Sequence, residues 1–124
     1  KLKEISYIHA EGFAGGALKH GPLALVSPEI PTFALLAEGE TFDRTLSNMS
    51  EVRARKGPVI AVTNREDPRL ADAADEVLLV PPSLEVLAPI LETIPLQLYA
   101  RAVASEMGRD VDRPRNLAKS VTTE

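Results

Sequence analysis

The sequence predicts an α/β fold, a parallel sheet flanked by helices. Three short runs carry that expectation: residues 31–37 (Pro-Thr-Phe-Ala-Leu-Leu-Ala), 58–63 (Pro-Val-Ile-Ala-Val-Thr) and 76–80 (Glu-Val-Leu-Leu-Val). Each is of strand length and largely apolar through successive positions, the pattern of a parallel strand covered on both faces. Helical segments alternate with them, which implies crossover connections. At 124 residues, with no internal repeat, low-complexity tract or linker, the chain is one domain at most, with enough apolar content to bury a core.

Residues 1 to about 16 read as a helix, because Leu2, Ile5, Ile8 or His9, and Phe13 recur at helical spacing. No capping residue precedes Lys1, so the expectation is a chain that starts inside a helix, as a piece of a longer polypeptide would. Gly12, Gly15 and Gly16 loosen the backbone after it. His20-Gly21-Pro22 restarts a helical turn, with Leu23-Ala24-Leu25 as a short buried element. After the first strand, Thr41 is placed to cap a helix running to about Lys56, with Phe42, Leu46, Met49 and Val52 facing inward and Gly57 ending it. A short helix over 67–74 separates the second and third strands. Ser83 is positioned to cap a last helix over 84–107, in which Pro89 and Pro95 should produce a kink or a split.

Beyond Gly108 comes a tail, residues 110–124 (Asp-Val-Asp-Arg-Pro-Arg-Asn-Leu-Ala-Lys-Ser-Val-Thr-Thr-Glu). Pro114 biases Arg113 towards an extended path. Val111, Leu117, Ala118 and Val121 alternate with charges, as in a segment that lies across a surface. The chain therefore divides into 1–109, the sheet and its helices, and 110–124, the tail.

Composition excludes several classes. A net charge of −4 and a pI near 5.2 argue against a nucleic-acid footprint, which needs a basic surface. No apolar run reaches the roughly 20 residues that span a bilayer, and the first residues have no signal-peptide pattern. The default expectation is therefore a cytoplasmic protein with no membrane or nucleic-acid partner. Without cysteine, and with two histidines, there is little material for a metal site, and none is expected.

Three residues could carry chemistry. Glu4 shares a helical face with Lys1 three residues before it, which suits either a solvated ion pair or a carboxylate base. A carboxylate partly shielded from water would have its pKa raised, improving proton transfer at neutral pH. His20, before Gly-Pro, is either a turn residue bonded to nearby backbone or a proton carrier. Lys119 is either a solvated charge or an amine nucleophile, the latter requiring its neutral form. His9 reads as structural.

Three blocks in order, Leu-Lys-Glu-Ile-Ser-Tyr-Ile-His-Ala-Glu from Leu2, Ala-Leu-Lys-His-Gly-Pro-Leu-Ala-Leu from Ala17, and Asp-Arg-Pro-Arg-Asn-Leu-Ala-Lys-Ser-Val-Thr from Asp112, resemble the C-terminal sugar isomerase (SIS) subdomain of the glucosamine-6-phosphate synthase family. The resemblance runs from Lys1 to Glu124. It implies a flavodoxin-like SIS architecture, here a partial domain lacking the strand before the helix that Lys1 interrupts. It implies that Glu4 moves a proton between C1 and C2 of the sugar, and that His20 assists ring opening, entering the active site of a neighbouring subunit. It further implies that Lys119 forms a Schiff base with C2 of open-chain fructose 6-phosphate before glutamine-derived ammonia replaces it. Lys1 would line the site, and the Ala118 backbone would hold the sugar under the tail, which acts as a cover. The product would be glucosamine 6-phosphate, made without metal or organic cofactor by a homodimer.

The family's glutaminase domain and the first SIS subdomain, with its Ser/Thr-rich phosphate loop, have no counterpart in this chain, so the fragment alone is expected to be inactive. Ala17 stands where the family usually has Glu. Two alternatives remain: another SIS isomerase or deaminase acting on a phosphosugar without glutamine, and a non-catalytic phosphosugar-binding SIS module. The presence of Glu4, His20 and Lys119 together argues against the second. Gly15, Gly16 and Gly21 leave the His20 loop few side chains of its own, which suggests that it is ordered against a partner.

Overall fold

The computed structural model describes residues 1–117. Ala118 and Lys119 lie outside the described residues. The chain divides into two compact units, residues 12–95 and residues 1–11 with 96–124.

The first of these holds the sheet. Strands β1 (Thr32–Leu35), β2 (Val59–Thr63) and β3 (Glu76–Leu79) pair in the order β1-β2-β3. Both pairings are parallel, with Thr32 opposite Val59 and Ile60 opposite Glu76. Helix α2 (Phe42–Arg53) connects β1 to β2 and α3 (Leu70–Ala73) connects β2 to β3. The parallel α/β expectation is borne out, with each strand at or within its expected range.

Packing explains why the central strand is so clearly marked in sequence. Val59, Ala61 and Val62 are fully buried, and the four inward residues expected of α2, Phe42, Leu46, Met49 and Val52, are all buried in the same cluster. Each large side chain removed from water in this way contributes roughly 1.5–3 kcal/mol. Thr63, also fully buried, keeps its hydroxyl satisfied by donating to the Leu36 carbonyl at 2.7 Å and accepting from the Arg65 N–H at 3.1 Å. The Asp75 carboxylate accepts the Val59 N–H at 2.7 Å and pairs with Arg53 at 2.6 Å, tying the start of β2 to the residue before β3.

Several local expectations are corrected. Thr41 occupies the position before α2 but makes no side-chain cap, and α2 stops at Arg53, short of Lys56. Lys56 itself takes the left-handed conformation, φ 64°, with the Gly57 N–H bonded back to the Val52 carbonyl. Leu23-Ala24-Leu25 lies in a 3-10 turn, Pro22–Leu25, that is only partly covered: Leu23 packs against the core while Leu25 is 71% exposed.

The second unit contains α1 and most of the last helix. The helix expected to run to about residue 16 ends at Ser6: α1 is Leu2–Ser6. The Ser6 hydroxyl donates to the Leu2 carbonyl at 2.7 Å and accepts the Ile8 N–H at 3.3 Å, a local alternative to the next helical turn. Tyr7 then adopts the left-handed conformation. Ile8 and Phe13 are 40% and 49% exposed, so the apolar periodicity read across them does not mark a buried face.

Helix α4 (Ala88–Glu106) follows a 3-10 turn, Glu85–Leu87. Ser83 does not cap it: its hydroxyl bonds to the Leu84 carbonyl. Pro89 falls in the first turn, where its missing N–H costs nothing. Pro95 is inside the helix, and the division between the two units falls there. At the end of α4, Gly108 at φ 66° permits paired bonds, Gly108 N–H to Ser105 and Arg109 N–H to Ala104, which satisfy carbonyls of the last turn.

Candidate functional site

Glu4 and Lys1 are brought together by α1. The Lys1 Nζ donates to Glu4 Oε2 at 2.6 Å. This hydrogen bond, reinforced by the charge on Lys1, lowers the Glu4 pKa from its ordinary value of 4.5. The sequence reading, a carboxyl raised by shielding, is reversed here because Glu4 is solvent-accessible and has a cationic partner one turn away. Glu4 is thus held in its ionised form, able to accept a proton.

Around Glu4 is a cleft of about 400 Å³. One wall is Lys3, Glu4, Tyr7, Ile8 and His9, and the other is Arg115, Asn116 and Leu117 of the tail. Arg115 is attached to this wall twice. Its backbone N–H donates to the Tyr7 hydroxyl at 2.9 Å, and its guanidinium lies 4.0 Å from the centre of the Tyr7 ring. Arg109 also faces that ring, at 5.3 Å. Nearer the helix, the Asp110 carboxylate accepts the N–H groups of Asp112 and Arg113, each at 3.0 Å, which turns the chain immediately after α4. His9, read as structural, is an exposed residue at the cleft, 3.7 Å from Glu11.

The tail's entry to the cleft is therefore described up to Leu117. Lys119 and Ala118, singled out in the sequence, lie outside the described residues. Tyr7 and Arg115 were not singled out, because no sequence pattern links positions 108 residues apart.

His20 belongs to the sheet-containing unit. It ends a 3-10 turn, Gly15–His20, and is exposed. Gly21 follows at φ 138° and ψ −51°, a conformation that glycine adopts without a Cβ clash. Within its own unit this turn is held at two points: Lys19 pairs with Glu51 of α2 at 2.9 Å, and Leu18 packs on the core.

Among the described residues, no group of three or more His, Cys, Asp or Glu side chains is arranged to hold a metal ion. No helix among them is long and apolar enough to cross a membrane.

A family profile for the SIS domain matches residues 1–107. The glutamine–fructose-6-phosphate aminotransferase (isomerizing) of Thermus thermophilus is 52% identical over 124 residues, all of this chain and 20% of that protein. The protein of the same description from Gloeobacter violaceus is 50% identical over 124 residues, again all of this chain and 20% of the relative. The chain thus spans a fifth of the length of these curated relatives. Among solved structures, the C-terminal domain of glucosamine-fructose-6-phosphate aminotransferase from Francisella tularensis superposes with a TM-score of 0.78 at 44% identity. That match covers 90% of this chain and 32% of the solved one.

Proposed function

The chain belongs to the SIS domain family, and on that premise we propose that it is the C-terminal SIS subdomain of an isomerising glutamine–fructose-6-phosphate aminotransferase. Identity of 52% maintained over all 124 residues is the observation that carries this reading. The rest of the polypeptide would supply the glutaminase part and the first SIS subdomain, and the working unit would be a homodimer.

In this proposal residues 1–109 form the subdomain body and 110–124 its active-site tail. His20, reaching a neighbouring subunit, moves a proton from the anomeric hydroxyl to the ring oxygen and opens fructose 6-phosphate. The neutral Lys119 amine attacks C2, its two protons leave with the C2 oxygen as water, and an imine forms. Ammonia released from glutamine then adds at C2 and the lysine amine leaves. Glu4 removes a proton from C1 and returns it to C2 while the C1 hydroxyl gives up its proton, so that the carbonyl lies at C1 and the amino group stays on C2. Lys1 supports this step by keeping Glu4 ionised between turnovers. The Ala118 backbone holds the sugar, and the tail limits access of water to the imine.

Borohydride reduction with fructose 6-phosphate tests the reading in the full polypeptide. A covalent sugar adduct is expected at Lys119, and Lys119→Arg should abolish it because a guanidinium stays protonated. An adduct mapped to another lysine overturns the assignment.

A further inference from the structure

Tyr7 sits where α1 has ended, at φ 66° and ψ 16°. A bulky residue in the left-handed region is uncommon, and here it places the ring against a segment 108 residues away. Its hydroxyl takes the Arg115 backbone N–H at 2.9 Å while its ring takes the Arg115 guanidinium at 4.0 Å. One side chain thus holds both the backbone and the side chain of Arg115, and Arg109 adds a second cation at 5.3 Å. The backbone bond fixes where the chain passes, and the ring contact fixes which way it faces.

Arg115 stands four residues before Lys119. Four residues of fully extended chain span at most about 14 Å, so the Cα of Lys119 cannot be farther than that from Arg115 whichever way the chain runs. Holding a nucleophile within reach of its target raises its effective concentration without any contact to the substrate. We propose that Tyr7 is the positioning residue of the tail: it clamps Arg115 at the Glu4 cleft so that Lys119 is delivered to the sugar. The proposal rests on the reading of Lys119 as the amine nucleophile.

Two measurements on the full polypeptide separate the clamp from its consequence. Hydrogen exchange of the peptide containing Arg115 reads the clamp itself, and single-turnover borohydride trapping reads the delivery of Lys119. Tyr7→Phe keeps the ring and removes the hydroxyl, so the Arg115 amide should lose protection while imine formation slows by about 2- to 10-fold. Tyr7→Ala removes both contacts and should slow it further, about 10- to 50-fold. In both variants kcat should fall while sugar-phosphate affinity and the fraction of trappable sites stay at wild-type values, which distinguishes poor positioning from a damaged fold. Tyr7→Ala combined with Arg115→Ala should be no slower than the slower single variant, because both break one clamp.

Unchanged protection in Tyr7→Phe overturns the clamp. Lost protection with unchanged trapping overturns the positioning role, as does additivity of the two alanine variants. A wild type that shows Arg115 protection but no adduct at Lys119 overturns the underlying reading, and the delivery claim with it, while leaving the clamp demonstrated.

Discussion

Glu92 is a carboxylate on α4 that is 4% exposed, and its Oε1 has no hydrogen-bond partner among the described residues. Burial raises its pKa above the ordinary 4.5, because the charged form loses hydration and Oε1 gains no partner in exchange. Glu92→Met keeps an unbranched side chain of similar length and removes the unpartnered polar group. An unsatisfied buried polar group costs about 1–3 kcal/mol, so the variant should be more stable by about that amount near pH 7. In urea unfolding, with a slope of about 1–3 kcal/mol/M, the midpoint should move up by roughly 0.5–2 M. Glu92→Gln should recover less, since its amide remains unpartnered.

The dependence on pH follows from the direction of the shift. A carboxyl with a raised folded pKa binds its proton more tightly when folded, so wild-type stability falls as pH rises from the unfolded value of 4.5 through the folded one. Below 4.5 both states are protonated and the ionisation penalty vanishes. The gain of Glu92→Gln over wild type should therefore be smallest in acid, grow with pH and level off above the folded pKa. Equal or lower stability of Glu92→Met at pH 7, or a Glu92→Gln gain that is flat with pH, would refute the reasoning.

Two further outcomes bear on the site. Lys1→Met removes the hydrogen bond and charge that lower the Glu4 pKa, so the acid limb of the kcat/KM profile should move to higher pH; a limb that stays in place means Glu4 is not the group titrating there. Full-length His20→Ala and Lys119→Arg should complement each other after subunit exchange, since one site of each hybrid dimer regains both residues. Random exchange should restore about a quarter of wild-type activity, and hybrids that form without activity would place His20 in its own subunit's site.

Strand β2 was legible because a strand covered on both faces needs apolar residues in succession, and 59–62 has nothing else; β3 shows the same run of apolar residues although all four of its positions are exposed. Helix α2 was legible because one face of it meets the sheet, so Phe42, Leu46, Met49 and Val52 repeat at the helical period. Helix α1 was misread by the same rule. Leu2, Ile5 and Ile8 keep the period, yet Ser6 offers the backbone a competing partner at Leu2, and five residues give too little helix for periodicity to outweigh it.

At the site, what sequence could see was local and chemical. Lys1 and Glu4 are three apart, and one helical turn is enough to join them. The charge state that results was not legible, because it depends on the exposure of Glu4 as much as on its neighbour. Helix α4 makes the limit sharper. Its buried positions include Ala88, Glu92, Ala100 and Ala104, while Ile90, Ile94 and Leu98 are 46–64% exposed. Small residues mark the buried positions and larger apolar ones the exposed positions, so a search for the most hydrophobic stripe selects the wrong side. Glu92 then looks like a solvent-facing charge when it is among the most buried groups on the helix. The clamp at Tyr7 escapes for a different reason: one of its two bonds is made by the Arg115 backbone, and a backbone N–H carries no signature in the residue type.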